Sequence, residues 1–220
     1  MEALRIPVAD DSVSALLIRP DNAKALYLFA HGAGAGMTHK SMTSNAEGLG
    51  ERGIATLRYQ FLYTEKGSKR VDPPRIAHAA VRAAAAEAMK LAPDLPLFAG
   101  GRSFGGRMTS QAQADSPLPG VRGLAFVGFP LHPAGKPGIE RAEHLARVGV
   151  PMLFVSGARD ALAEMPLLSS VVADLGVRAT LHVVAHADHS LKVPMKSGRT
   201  PAQAEAEALD AMAAWMLRLS

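Results

Sequence analysis

Short runs of apolar residues recur along the chain and alternate with segments that repeat every three to four residues. These apolar runs predict strands, and the uninterrupted run at 25–30 is typical of a strand that is covered on both faces. The runs lie at 25–30, 54–57, 97–99, 121–129, 150–155 and 179–184. Two further runs, 4–8 and 13–19, flank Asp10-Asp11-Ser12 and predict an opening pair of strands.

The segments between these runs carry helical spacing. Met42, Ala46 and Leu49 predict one helix, and an alanine-rich helix is expected to be capped by Asp72-Pro73-Pro74 and to end before Pro93. Further helices are predicted from Phe104 through 112, near 139–146, and at 165–175. The last helix is expected to begin with a capping box at 200–203.

Strands and helices alternate from residue 25 to the end of the sequence. This alternation predicts an α/β fold with a mostly parallel sheet of seven to eight strands and helices on both faces. Residues 1–220 carry no linker, repeat or low-complexity tract, so a single domain is expected. The connections are short, and no cap domain is predicted.

Composition narrows the classes of function. The chain has no cysteine, which excludes disulfides and thiol nucleophiles, and it lacks a signal-peptide pattern and any apolar stretch long enough for a membrane span. A cytoplasmic protein is therefore predicted. The net charge is +4, with basic clusters at 66–70 and 192–199 that are either solvated loops or a mild field for anionic substrates. The few aromatic residues are not interleaved with them, so nucleic-acid binding is not expected.

The most informative stretch follows the run at 97–99. It reads Gly101-Arg-Ser103-Phe-Gly105, the pattern G-x-S-x-G, between a predicted strand and a predicted helix. In this context the pattern predicts a sharp turn that exposes the serine hydroxyl as a nucleophile.

A second glycine-rich loop begins at His31, directly after the run at 25–30. Its sequence, His-Gly-Ala-Gly-Ala-Gly, lacks both the G-K-[ST] of a phosphate loop and the spacing of a dinucleotide site. It predicts either a plain turn or a source of a backbone N–H for an oxyanion hole.

Two more polar residues follow predicted strands, Asp160 and His189. A serine needs a base to take its proton, and the base works best when a carboxylate fixes its tautomer. Because the carboxyl ends of parallel strands meet at one edge, Ser103, Asp160 and His189 are the predicted nucleophile, acid and base. His182 is expected to be packed in a strand and His186 to be a structural neighbour.

Other assignments around these positions stay open. Asp115 and Asp174 read as exposed helix or loop residues, and Asp188 as a turn cap. A metal site at His186, Asp188 and His189 is the weaker alternative, because no further ligand cluster is visible. No metal and no cofactor are predicted.

The chain resembles the small α/β-hydrolases of the dienelactone-hydrolase-like superfamily. It is most similar to the branch that includes the hydrolase-like domain of a chromatin nonspecific-lethal complex subunit. The matching stretches span nearly the whole chain: His31-Gly-Ala-Gly, 58–63 with Asp72-Pro-Pro, Gly100-Gly-Arg-Ser-Phe-Gly-Gly-Arg, Phe129-Pro-Leu-His-Pro, Gly157-Ala-Arg-Asp and Asp188-His-Ser-Leu-Lys.

The resemblance implies the same roles for Ser103, Asp160 and His189. It also implies that the oxyanion receives backbone N–H donors from Phe104 and from a residue just after Gly32, for which Ala33 is the candidate. The order serine, acid, histidine is that of the α/β-hydrolases. True dienelactone hydrolases use a cysteine nucleophile, which this chain lacks, so their particular substrate is not expected.

We therefore predict a serine esterase without a lid that acts on small-molecule esters. The alternatives are a thioesterase or peptidase with the same three residues, and a catalytically silent interaction module. Arg102, Arg107 and Lys192 are predicted near the mouth of the site and favour an anionic substrate.

Overall fold

The computed structural model describes residues 1–220 and contains one eight-stranded sheet in the order β1-β2-β4-β3-β5-β6-β7-β8. The strands are β1 Glu2–Val8, β2 Asp11–Ile18, β3 Ala25–Ala30, β4 Ile54–Tyr59, β5 Leu97–Arg102, β6 Val121–Val127, β7 Met152–Gly157 and β8 Ala179–Val184. β2 pairs antiparallel with β1 and β4, and all other pairs are parallel. The predicted α/β class is confirmed.

Six α-helices accompany the sheet: α1 Lys40–Glu51, α2 Leu62–Glu65, α3 Pro74–Leu91, α4 Phe104–Asp115, α5 Met165–Leu175 and α6 Pro201–Arg218. Apolar side chains of α1 and α6 form one hydrophobic cluster on one face of the sheet. Side chains of α3, α4 and α5 belong to a second cluster on the other face. The sheet is thus covered on both faces, as its continuous apolar strands predict.

Small residues let α3 lie close to its neighbours. Its buried face consists almost entirely of alanine, including Ala77, Ala80, Ala84 and Ala88, so that the helix packs closely against β1 and α4. α6 begins with the predicted capping box, in which the side chains of Thr200 and Gln203 each bond to the other residue's backbone.

Two local predictions were wrong. The carboxylate of Asp72 does not cap α3; it accepts a hydrogen bond from the Tyr63 N–H and so ties α2 to the start of α3. The expected helix near 139–146 is a shorter 3₁₀ helix at Glu143–Arg147. At Asp72 the backbone N–H of Tyr63 takes the carboxylate that would otherwise cap the helix.

No further domain is inserted between the strands, and the ends of β3, β5, β7 and β8 open to solvent at one edge. None of the helices combines the length and apolar character that crossing a bilayer requires.

Candidate active site

Ser103 lies between β5 and α4 with φ 46° and ψ −113°. A residue with a side chain adopts this conformation only under strain, which costs about 1–3 kcal/mol. The backbone holds it in place, because its N–H donates to the Val127 carbonyl at 3.0 Å and its carbonyl accepts from the Arg107 N–H. The predicted sharp turn is present.

Glycines on both sides of this turn allow the chain to approach β3. A Cβ on Gly101 would lie 2.3 Å from the Ala30 carbonyl oxygen, and one on Gly105 would lie 2.5 Å from the His31 carbonyl oxygen. Both distances are far inside van der Waals contact, so no side chain is tolerated at either position. The G-x-S-x-G spacing therefore has a packing cause in this fold.

The structure brings the three predicted side chains together. Ser103 Oγ lies 3.0 Å from Nε2 of His189, and Nδ1 of His189 lies 2.9 Å from both carboxylate oxygens of Asp160. The three residues follow β5, β8 and β7, and they are separated by up to 86 positions in the sequence.

Asp160 is the buried end of this chain of contacts. Its side chain has no exposed surface, and Oδ1 also accepts the Leu162 N–H at 2.8 Å. A carboxylate can only accept hydrogen bonds, so Nδ1 of His189 carries the proton that faces it. Nε2 is then the acceptor that faces the serine hydroxyl.

The loop that carries His189 is fixed by Asp188 and Gly128. Oδ1 of Asp188 accepts the N–H groups of Ser190 and Lys192, as expected for a turn cap. Gly128 has φ 62°, and a Cβ there would lie 2.7 Å from the His189 carbonyl oxygen. The loop from the sheet edge therefore passes directly over the end of β6.

A cavity of about 250 Å³ lies in front of Ser103 and His189, and the loop 32–35 forms its opposite wall. The N–H of Ala33 donates to no acceptor within the protein, and the same holds for Gly34. Phe104 is the first residue of α4, where N–H groups have no intrahelical acceptor. Backbone donors thus lie on two sides of the serine.

His31 has a structural role. Its ring is fully buried, with Nδ1 donating to the Gly32 carbonyl and Nε2 accepting the Phe61 N–H. Burial lowers its pKa to about 4, so the ring is neutral at pH 7. It fixes the glycine-rich loop and does not line the cavity.

Neither His182 nor His186 takes part in the hydrogen-bonded chain of Ser103, His189 and Asp160. His186 is exposed, and His182 is only half-buried on β8, where Nε2 bonds to Glu207. The structure contains no group of three side chains arranged to hold a metal ion.

Two arginines near the serine face different directions. Arg102 lines the cavity, and its guanidinium donates to Asn45 Oδ1 at 3.0 Å and to the Ser190 carbonyl at 3.3 Å. Arg107 lies 5.9 Å from the centre of the Phe104 ring and does not line the cavity, so its predicted place at the mouth was wrong. Burial lowers the pKa of both guanidinium groups.

A family model described as an alpha/beta hydrolase domain matches residues 23–217. The chain belongs to this family. The match includes β3 to β8 and all three residues of the hydrogen-bonded chain, which are therefore parts of the α/β hydrolase domain.

Solved structures share the fold of this α/β hydrolase. A dienelactone hydrolase from Anabaena variabilis is 20% identical, with a TM-score of 0.77 over 99% of this chain and 97% of that one. An α/β serine hydrolase without a lid from Xanthomonas campestris is 19% identical, with a TM-score of 0.73 over 97% and 94%. The esterase domain of a Rhodothermus marinus protein is 17% identical, with a TM-score of 0.73 over 99% and 98%.

Proposed function

We propose that this α/β hydrolase is a serine esterase that cleaves small carboxylic esters through an acyl-enzyme. The observation that carries the proposal is the unbroken chain of hydrogen bonds from Ser103 Oγ through His189 to the buried carboxylate of Asp160. Its serine lies on a strained turn and faces an open cavity.

In the proposed first step, Ser103 Oγ attacks the ester carbonyl carbon while His189 Nε2 takes the hydroxyl proton. Asp160 holds the ring in the tautomer that can accept this proton and stabilises the imidazolium that results. The N–H groups of Phe104 and Ala33 are the proposed donors to the oxyanion. His189 then gives the proton to the alkoxide oxygen as the alcohol leaves.

The second step reverses the first with water in place of the alcohol. His189 takes a proton from water, the resulting hydroxide attacks the acyl carbon, and the bond to Ser103 Oγ breaks as that oxygen regains the proton. The products are a carboxylic acid, an alcohol and the free enzyme. No cofactor takes part in this scheme.

Names of fold relatives support the choice of ester substrates. A Butyrivibrio proteoclasticus structure of the same fold contains ferulic acid and is 17% identical with a TM-score of 0.75, and a metagenomic relative is described as a cold-adapted esterase. We also propose that residues 1–220 act as one domain, since the two hydrophobic clusters share a single sheet.

A fluorophosphonate probe tests the serine directly. We expect the wild-type protein to be labelled and to hydrolyse 4-nitrophenyl acetate, and Ser103→Ala to lose both properties. Ser110→Ala is the matched control, because Ser110 also contacts a histidine but lies inside α4. Labelling or turnover retained by Ser103→Ala would remove this residue as the nucleophile.

The same preparation separates the remaining alternatives. A catalytically silent module, as some members of the chromatin-complex branch are, would give neither labelling nor turnover. A thioesterase or peptidase would be labelled but would prefer a thioester or a peptide substrate over acetate to octanoate esters. The proposal requires the highest kcat/KM in the ester panel.

A further inference from the structure

A second cavity adjoins the one in front of Ser103. Its volume is about 440 Å³, and it lies between the start of α1, the loop after His189 and the start of α6. The two cavities share four lining residues, His39, Ser41, Arg102 and Ser190. A ligand at the serine therefore reaches the second cavity without a change in the fold.

Polar and charged residues make up most of the wall of this second cavity, which carries an excess of positive charge. Lys40, Arg102 and Lys192 line it, and none of them forms a salt bridge. Glu205 is the one acidic residue in its wall, and Asp188 lies behind the loop. Three cations face two carboxylates, so an anion inside is attracted.

Both carboxylates are already engaged. Glu205 accepts the Asn45 side-chain N–H, and Asp188 accepts the backbone N–H groups of Ser190 and Lys192. The two lysine ammonium groups donate to no side chain or carbonyl of the protein. The ammonium groups of Lys40 and Lys192 are therefore charged donors of this cavity that remain available to a ligand.

The position of the cavity distinguishes the two halves of an ester. In the proposed reaction His189 Nε2 gives its proton to the leaving oxygen, so the alcohol half lies next to His189. Ser190, Leu191 and Lys192, which directly follow His189, line the second cavity. The loop 32–35, which faces the carbonyl oxygen in the proposed mechanism, does not.

We propose that the second cavity is a leaving-group subsite for alcohols that carry a phosphate or a carboxylate, and that Lys40 and Lys192 are its specificity-determining residues. This inference rests on the proposed esterase function. The reaction remains hydrolysis, in which water supplies hydroxide to the acyl carbon and a proton to the anionic alcohol.

Matched esters test the subsite. 4-Acetoxyphenyl phosphate and 4-acetoxybenzoate carry the anion on the leaving group, and methyl 4-acetoxybenzoate is the neutral reference. Each kcat/KM is divided by the rate constant for hydrolysis of the same ester by hydroxide, which corrects for differences in intrinsic reactivity. We expect this normalised kcat/KM to be about tenfold higher for the anionic esters than for the neutral reference. The first two esters show whether phosphate or carboxylate fits better.

Charge-removing variants assign the preference to the two lysines. Lys40→Met with Lys192→Met is expected to reduce the preference about fivefold, mainly through KM of the anionic ester, when each kcat/KM is divided by the value of the same variant for the neutral ester. Lys24→Met with Lys136→Met removes the same charge from exposed positions that line neither cavity, and it is expected to keep the preference.

Two results would overturn the subsite. One is equal normalised kcat/KM for anionic and neutral leaving groups. The other is a preference for an anion on the acyl half with no preference on the leaving group. It would appear as a higher kcat/KM for mono(4-nitrophenyl) adipate than for 4-nitrophenyl hexanoate.

A binding measurement separates failure of the subsite from failure of the proposed function. The product 4-hydroxyphenyl phosphate is titrated into Ser103→Ala by calorimetry, and the affinity is expected to fall about fivefold when both lysines are replaced as well. Binding by a protein that hydrolyses no ester would overturn the esterase proposal and retain the anion site. Absence of binding, with neutral esters still hydrolysed, would overturn the site alone.

Discussion

Besides the local contact between His39 and Ser41, two serine–histidine pairs join residues far apart in the sequence, and the shorter of these two contacts is not the proposed catalytic one. Ser110 Oγ lies 2.7 Å from Nε2 of His144, whereas Ser103 Oγ lies 3.0 Å from Nε2 of His189. Proximity of the two side chains is therefore not what makes a nucleophile.

The two pairs differ first in the direction of the hydrogen bond. The Ser110 hydroxyl donates to the Arg107 carbonyl, so its oxygen accepts the N–H of His144 Nε2. A protonated nitrogen cannot take the serine proton. Asp160 imposes the opposite tautomer on His189, whereas no carboxylate contacts His144.

They differ also in their surroundings. Ser110 and His144 are both buried, and burial lowers the pKa of His144 to about 4 with help from the nearby charges of Arg147 and Arg107. Ser103 lies on a strained turn in front of a cavity. Of the two pairs, only Ser103 and His189 combine a carboxylate with open space for a substrate, and substitutions at each pair test this difference.

Replacing each histidine gives the largest expected contrast. His189→Gln is expected to reduce kcat/KM for 4-nitrophenyl acetate by about 10⁵-fold, since the general base is removed. His144→Gln is expected to leave kcat/KM within about threefold, because it only removes a hydrogen bond on the far side of α4. Steady-state kinetics checks both, and equal losses would abolish the distinction drawn between the pairs.

Neutralising the acid is the next largest change. Asp160→Asn is expected to lower kcat about 10⁴-fold, because the amide favours the wrong tautomer of His189. Asp115→Asn is the matched control, since Asp115 is the carboxylate that lies near His144. It is expected to retain the wild-type kcat, and a similar loss in both variants would argue against a specific role for Asp160.

The second pair contributes to stability in acid, as does the buried ring of His31, whose pKa is also about 4. The pKa of His144 in the folded protein is about 4, below the ordinary value of 6.5, so the unfolded chain binds a proton first as the pH falls. Stability from this group is complete above pH 6.5 and is lost as the pH falls towards 4. Urea unfolding of the wild type is expected to lose about 2 kcal/mol at pH 5 through His144.

His144→Gln removes this contribution and is expected to show a correspondingly smaller difference between pH 7 and pH 5. Ser110→Ala keeps the imidazole buried and is expected to retain most of the difference. An unchanged pH dependence in His144→Gln would assign the acid sensitivity to another buried group, and His31 is then the one to replace.

The smallest expected effect has opposite signs at the two serines. Ser103→Gly is expected to raise the free energy of unfolding by about 1 kcal/mol, because glycine adopts φ 46° without strain. Ser110→Ala is expected to lower it by about 1 kcal/mol, because His144 loses its partner. Urea unfolding at pH 7 measures both changes, and destabilisation by Ser103→Gly would show that this turn is not strained.

The sheet and the three principal side chains could be predicted because each rests on a local signal. Continuous apolar runs identify the strands, and the ends of parallel strands meet at one edge wherever their loops are short. Ser103, Asp160 and His189 each follow such a run, so their meeting needs no knowledge of the loops. Their catalytic roles stay predictions until the variants are measured.

Features that depend on packing between distant elements have no local pattern in the sequence and could not be predicted. Asn45 bridges Arg102 and Glu205 across α1 and α6, and Gly128 makes room for a loop that begins two strands away. Arg107 was misplaced because sequence distance from Ser103 does not give the direction of a helical side chain. The buried pair of Ser110 and His144 joins elements 34 positions apart without any motif.

β8 is the outermost strand of the sheet, and it pairs with β7 on one side alone. The proposed base is attached to this border strand, whereas the nucleophile is anchored near the centre. Peripheral strands fray at lower temperatures than central ones. On heating, hydrolytic activity is therefore expected to be lost at a lower temperature than the circular dichroism signal of the folded protein.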